Sequence, residues 1–305
     1  MPRTLSDNES KVVLDLEWHG KKTVSLAEIR ARLRCSEEYA RFMAHRLARK
    51  GWLERLRPGV YQLIPAERGR EGVADTNPLA AGAVLADPYF YSFGTACTHH
   101  GLTEQVFAEV YLVTRARLKP RIVRDTRYVF VPAPAARFFG HAPVTVLGAT
   151  VNMATAERAL LDSVDRPRYA GGIGEVSRIV SRAGGRVDWD ALAAMLRRLD
   201  ASALAQRLGY LLDLNAVSFP DGVRAALREV VRPESKVLLG SRARWGTHGQ
   251  VATSWNVVVN VPRDVLGSGT EPRRPPPRGA AADTALRSPG EGGRRRVDYS
   301  RGRGK

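Results

Sequence analysis

Ser25 stands three residues ahead of Glu28, and few local patterns restrict a chain more firmly. A serine at a helix entry takes up the amide three residues on, while the glutamate there reaches back to the serine's own amide. A helix is therefore expected over 26–33. The punctuation on either side fixes its neighbours. Upstream, Ser6 or Asp7 can cap a helix over 7–18 in which Val12, Val13 and Leu16 form the apolar stripe, and His19-Gly20 ends it. Downstream, Ser36 can cap a third helix over 37–50. Its first-turn Glu37 and Glu38 suit the positive end of the helix dipole, and its last-turn Arg49 and Lys50 suit the negative end. Gly51 stops that helix. Segments 52–55 and 60–64 then read as strands joined around Leu56-Arg57-Pro58-Gly59, whose Pro-Gly pair suits a tight turn.

Helix, capped helix, short turn, basic helix and hairpin is the order of a winged helix-turn-helix, in which the third helix enters the major groove of DNA. Turning each residue by about 100° places Ala40, Met43, Ala44 and Leu47 on one face of that helix. Glu38, Arg41, His45 and Arg49 fall on the other, flanked by Phe42 and Arg46. Arginines at 41, 46 and 49 suit phosphates or guanine edges, Ser36 and the first amides of the helix suit a phosphate, and Arg55 and Arg57 at the wing suit the backbone or the minor groove. The candidate DNA-binding set is thus Ser36, Glu38, Tyr39, Arg41, Phe42, His45, Arg46, Arg49, Arg55 and Arg57. A winged helix can also serve as a protein-interaction module, and an arginine face can be simple solvated surface; the pattern alone leaves both readings standing.

Charge supports a polyanionic partner. Against 31 acidic residues the chain has 48 Lys and Arg, a formal net charge of +17. The excess is densest at the two ends, +5 over 1–66 and +6 over 267–305. No apolar run is long enough to span a bilayer, and Asp7, Glu9, Asp15 and Glu17 interrupt the region a signal peptide would need, so a cytoplasmic protein with no membrane partner is expected. Cys35 and Cys97 lie too far apart in sequence to suggest a disulfide framework or a metal-ligand spacing. From 264 onward a disordered basic tail is expected: 13 of the 39 residues after 266 are Gly or Pro, and almost nothing there could repay chain entropy.

The part between reads as a second, larger domain over 78–263, joined by a linker over 67–77. Strands are expected at 109–114, 127–131, 137–141, 144–147 and around Val151, then helices at 155–165, 174–182, 188–199 and 201–215. Strands first and helices later give an α+β fold: a winged helix-turn-helix followed by a mixed α/β domain. Its chemistry is sparse. Ala170-Gly171-Gly172-Ile173-Gly174 lacks the Lys-Ser/Thr of a nucleotide loop and reads as a helix-entry turn. His99-His100 diverge on a helix with no further ligand nearby, and Arg158 with Asp162 forms an i, i+4 ion pair beside Glu157. No catalytic residue, metal site or cofactor is expected. Should this domain itself bind nucleic acid, Tyr89, Tyr91, Phe93, Arg115, Arg117, Lys119 and Arg121 are the aromatic and basic groups to test.

Particular strings carry a family resemblance over about residues 5–262. They are Gly51-Trp52-Leu53 and Gly59-Val60-Tyr61 in the winged helix; DPYFYSFGTACTHHGLTEQ at 87–105; TAERALLDSVDRP at 155–167 with Gly171-Gly172; and Trp245-Gly246 with Trp255-Asn256. In this order they resemble the AbiEi family of bacterial antitoxins and transcriptional regulators, the antitoxin half of type IV toxin–antitoxin systems of abortive phage infection. The resemblance implies a repressor that binds double-stranded operator DNA of its own operon and counteracts a nucleotidyltransferase-like toxin without a tight complex being assured. It also implies that the toxin, not this chain, carries the chemistry. The Arg/Gly/Pro-rich segment after Val261-Pro262 departs from the family pattern. Two rival readings are a ligand-responsive winged-helix regulator with no antitoxin role, and a nucleic-acid enzyme with an unconventional site.

Overall fold

The computed structural model describes residues 4–66, 77–232 and 234–268. Of the linker read over 67–77, all but Asn77 lies outside the described residues, as does the part of the expected tail from 269 onward. The N-terminal part runs α1 (Asp7–Trp18), β1 (Thr23–Ser25), α2 (Leu26–Leu33), α3 (Glu37–Arg49), β2 (Leu53–Arg57) and β3 (Val60–Leu63). Its three helices start where the caps put them. The Ser6 amide donates to Glu9 Oε2 at 2.7 Å; the Ser25 amide donates to Glu28 Oε2 at 2.8 Å while the Glu28 amide donates to Ser25 Oγ at 3.2 Å; and Ser36 Oγ accepts the Tyr39 amide at 3.2 Å. Val12, Val13 and Leu16 meet Ile29, Ala40, Met43, Ala44 and Leu47 in one cluster closed by Trp52, Leu53 and Tyr61. Burial of these apolar side chains, each worth about 1.5–3 kcal/mol when complete, holds three short helices that would not persist alone. The sheet beside them has the order β1-β3-β2, with Ser25 opposite Val60. β1 was not anticipated, because three residues are too few to show an alternation.

The larger part begins with α4 (Pro78–Ala83), β4 (Tyr89–Tyr91), α5 (Phe93–His99), β5 (Glu109–Thr114), β6 (Arg121–Val123), β7 (Thr126–Pro132), β8 (His141–Val146) and β9 (Ala149–Ala154). These strands form a six-stranded mixed sheet in the order β6-β7-β5-β4-β9-β8. The central β4 and β5 are buried on both faces, whereas edge strand β8 alternates towards solvent. Helices α6 (Ala156–Asp165), α7 (Ile173–Ser181), α8 (Trp189–Leu199), α9 (Ser202–Leu214) and α10 (Asp221–Val230) follow. α6 is the hub, packed against α5, α7, α8 and α9 with Leu160, Leu161 and Val164 wholly buried. The chain then adds β10 (Val237–Leu238), α11 (Arg242–Trp245), β11 (Gln250–Ala252), β12 (Val257–Val259) and α12 (Arg263–Ser268). Trp255 fastens this last section: a Cβ at Gly209 of α9 would stand 2.6 Å from its ring, and its indole N–H donates to Asp213 Oδ2 at 2.6 Å.

Several expectations are corrected here. No strand covers 137–141; the chain makes a 3-10 turn over Ala135–Arg137, Gly140 takes a positive φ of 74°, and β8 starts only at His141. Residues 264–268 are part of α12, not of a tail, because Val265 and Leu266 are buried against the larger core. α10 was overlooked although Val223, Ala226, Leu227 and Val230, all buried, recur at helical spacing.

The wing is a joint between the two clusters. A bulge between Arg55 and Arg57 turns Leu56 out of the hairpin, and its side chain, 7% exposed, joins the larger core. Beside it Arg124, in the β6–β7 turn, takes both carboxylate oxygens of Glu54 with Nε at 3.0 Å, and Arg57 Nε donates to the Val84 carbonyl at 2.5 Å.

Candidate nucleic-acid interface

α3 is positioned by its inner face and by one carboxylate. Ala40, Met43, Ala44 and Leu47 are buried, which turns Glu38, Tyr39, Arg41, Phe42, His45 and Arg49 outward, all of them exposed, with capping Ser36 at the helix entry. Glu9 of α1 has no exposed surface and lies 2.9 Å from Arg46 Nε and 2.7 Å from Lys50 Nζ. Burial pushes its carboxyl up, but hydrogen bonds from Lys50 and Ser6 outweigh this and hold it below its ordinary value. Arg46 is therefore anchored by its Nε to the buried Glu9 while its side chain stays 39% exposed at the flank of the outward face.

The outward face combines charge with rings. Arg41 lies 2.8 Å from Glu37 in an exposed i, i+4 pair, which is weak in water. Arg49 makes no ion pair among the described residues. Phe42 is 50% exposed and Tyr39 38%, their centroids 6.1 Å apart, and Asn8 Nδ2 donates to the Tyr39 hydroxyl at 3.2 Å. At the wing, Arg55 is exposed, while Arg57, though exposed, is tied to Val84. The structure thus brings Ser36, Glu38, Tyr39, Arg41, Phe42, His45 and Arg49 onto one surface, with Arg46 at its flank paired to Glu9 and Arg57 at the wing tied to the Val84 carbonyl. Arg34, missed in the sequence reading, is exposed in the α2–α3 turn with a left-handed φ of 48°, and only its place before the Ser36 cap signalled it.

The larger part offers a different picture. Tyr89, Tyr91 and Phe93 are core residues, at most 8% exposed, and cannot stack on bases; Arg115, Arg117 and Lys119 are exposed on the loop after β5, and Arg121 is half-buried at the start of β6. Arg158 is buried with its Nε 2.9 Å from Asp162 Oδ1 and a second nitrogen donating to the Phe139 carbonyl at 3.1 Å, while the Ser92 hydroxyl donates to Asp162 Oδ2 at 2.7 Å. Burial pushes the Asp162 carboxyl up against the opposing pull of Arg158 and Ser92. A narrow cleft at the carboxyl ends of β5 and β7 holds Arg137, Arg158, Arg166, Asp162 and Asp165, which pair with one another. Glu157 accepts the Asp188 amide at 2.8 Å, His100 Nε2 lies 2.7 Å from the Ala154 carbonyl, and Gly171-Gly172, both at positive φ, form the entry turn of α7. Cys97 is wholly buried and its thiol is pushed up to about 12 by that burial. Among the described residues no three His, Cys, Asp or Glu side chains gather as a metal site, and no helix is long and apolar enough to cross a membrane.

Residues 12–64, from mid-α1 to the end of the wing, match the family model described as "Transcriptional regulator, AbiEi antitoxin". The segment that holds this surface is therefore the part of the chain that is similar to that family. No curated protein matches the chain. Among solved structures the fold is similar to that of the RV2827C protein from Mycobacterium tuberculosis, with a TM-score of 0.62 and 18% identity over 87% of this chain and 96% of that one.

Proposed function

We propose that this chain, whose residues 12–64 are similar to the AbiEi regulator family, is a cytoplasmic repressor that reads double-stranded operator DNA with α3 and acts as the antitoxin of a type IV toxin–antitoxin pair. The observation that carries the reading is the division of α3 into a buried apolar face and an exposed face bearing Arg41, His45 and Arg49 with Tyr39 and Phe42. Such a helix, capped by Ser36 and backed by two others, fits the major groove with its first amides toward a phosphate. Arg55 extends the contact along the wing. Arg46 and Arg57 serve instead to hold α3 and the wing in place.

In this reading residues 1–66 bind DNA, and residues 78–263, without catalysis of their own, counteract a nucleotidyltransferase-like toxin encoded with this chain. The pairing of the cleft's charges, Arg158 with Asp162 and Arg137 and Arg166 with Asp165, supports a non-catalytic body. A gel shift of the full chain on the DNA upstream of its own coding sequence, with shuffled DNA as competitor, tests the first half; retained binding to the natural sequence alone is the expected result, and equal competition by shuffled DNA refutes it. Co-expression with the adjacent toxin tests the second: growth is restored by the full chain and still restored when α3 no longer binds DNA.

A further inference from the structure

α1 turns one apolar face inward and a second outward. Val12, Val13 and Leu16 are buried, while Leu14 is 57% and Trp18 87% exposed, one helical turn apart. An isolated surface leucine needs no explanation, but an open tryptophan beside one is a contiguous apolar patch of the kind that marks a contact surface. Ser10, Lys11, Leu14, Asp15 and Arg32 line a shallow groove beside it. The charges that flank the patch have an order of their own. Lys11 precedes Leu14 by three residues and Glu17 follows it by three, and neither makes an ion pair among the described residues. Glu17 is held in place by the Ala66 amide, which donates to its Oε1 at 2.8 Å.

We infer that this face of α1 pairs with the same face of a second copy of the chain, the two helices running antiparallel about a two-fold axis through Leu14. Only that arrangement uses the order of the charges: Lys11 then faces the partner's Glu17 and Glu17 faces the partner's Lys11, while Trp18 lies over the partner's Ser10 beside the central leucines. A patch that complements itself when inverted is what an isologous interface requires. The area is small. A buried tryptophan covers about 150–250 Å², so two of them with two leucines stay well below the roughly 1,200 Å² of a stable complex. Two copies therefore pair weakly in free solution and firmly when neighbouring half-sites hold them together at high effective concentration. The inference rests on the DNA-binding reading, and converts one bound copy into a pair that reads an inverted repeat.

The test compares DNA carrying one natural site with DNA carrying two inverted sites, using the full chain. The second copy is expected to bind on the order of tenfold more tightly than the first. Trp18→Ala, Lys11→Glu and Glu17→Lys should each abolish this gain while leaving single-site affinity unchanged, with a small loss in the circular-dichroism melt only for Glu17→Lys, which gives up the Ala66 amide, and the double exchange Lys11→Glu with Glu17→Lys should restore the gain. Cooperativity that survives all three single changes overturns the inference, as does a double exchange that fails to restore it; in either case a chain ending at residue 268 tests whether the patch is covered by this chain's own C-terminal segment. Failure of the wild-type chain to bind even the single site refutes the DNA-binding reading instead.

Discussion

Glu9 illustrates what a single residue decides. In the sequence it is one of several acids in a first helix capped by Ser6 or Asp7, and the structure adds that it accepts the Ser6 amide. Its partners Arg46 and Lys50 are not legible there, since they stand a helix and a turn away and meet it only once α1 and α3 have packed. For the same reason a helical wheel does not show that Arg46, placed at the flank of the outward face, is anchored to Glu9. Glu9→Gln should lower the unfolding free energy by about 2 kcal/mol in urea titration, the scale of hydrogen bonds to a buried charge. Acid should do the same to the unaltered protein. Because the Glu9 carboxyl is held below its ordinary 4.5, its contribution is complete above that value and disappears as pH falls through the lowered one. Asp15, held down mainly by the hydrogen bond from Arg32, and Glu28, where the bonds from Ser25 and Lys21 outweigh burial, change in the same direction. The Gln variant should show a shallower loss of stability across that acid range, and an identical slope would remove Glu9 from the account.

At the scale of elements, the helices of the N-terminal part were legible to within a residue because caps and stops are local chemistry, written in neighbouring side chains. The strands of the larger part were only half legible. β5 shows a long apolar run, but β4, β6 and β10 to β12 have two or three residues each and are strands only because a neighbour pairs with them. The wing was legible as a hairpin and not as a joint, since nothing in Leu56-Arg57-Pro58-Gly59 shows that a bulge will turn Leu56 into another core. Leu56→Ala should cost about 2–3 kcal/mol, within the usual range for a buried leucine. Thermal unfolding of the full chain checks this; a loss below about 0.5 kcal/mol, the scale of surface changes, would mean that the wing does not depend on that contact. The same contact makes the full chain, rather than residues 1–66 alone, the proper material for binding measurements.

Across the whole molecule, charge and texture pointed correctly to an α+β chain with a basic winged helix in front, and residues 12–64 match an AbiEi regulator model. The larger part was harder to read because polar residues such as Arg158, Asp162 and Ser92 satisfy one another inside the core and Glu157 takes the Asp188 backbone amide, and such pairing leaves no spacing in the sequence beyond one i, i+4 step. Tyr89, Tyr91 and Phe93 likewise look the same whether they serve a core or a stacking platform. The central claim concerns the outward face of α3, and the measurement that tests it most directly is a fluorescence-anisotropy titration of the full chain and its Arg41→Ala and Arg49→Ala variants on operator and shuffled DNA, repeated over a range of salt. A variant that loses a base contact should bind the operator more weakly by about 1–3 kcal/mol and discriminate less, and one that loses a phosphate contact should weaken on both DNAs and shed about one from the salt slope. Unchanged affinity in both variants near physiological salt would contradict the assignment of α3 as the reading helix.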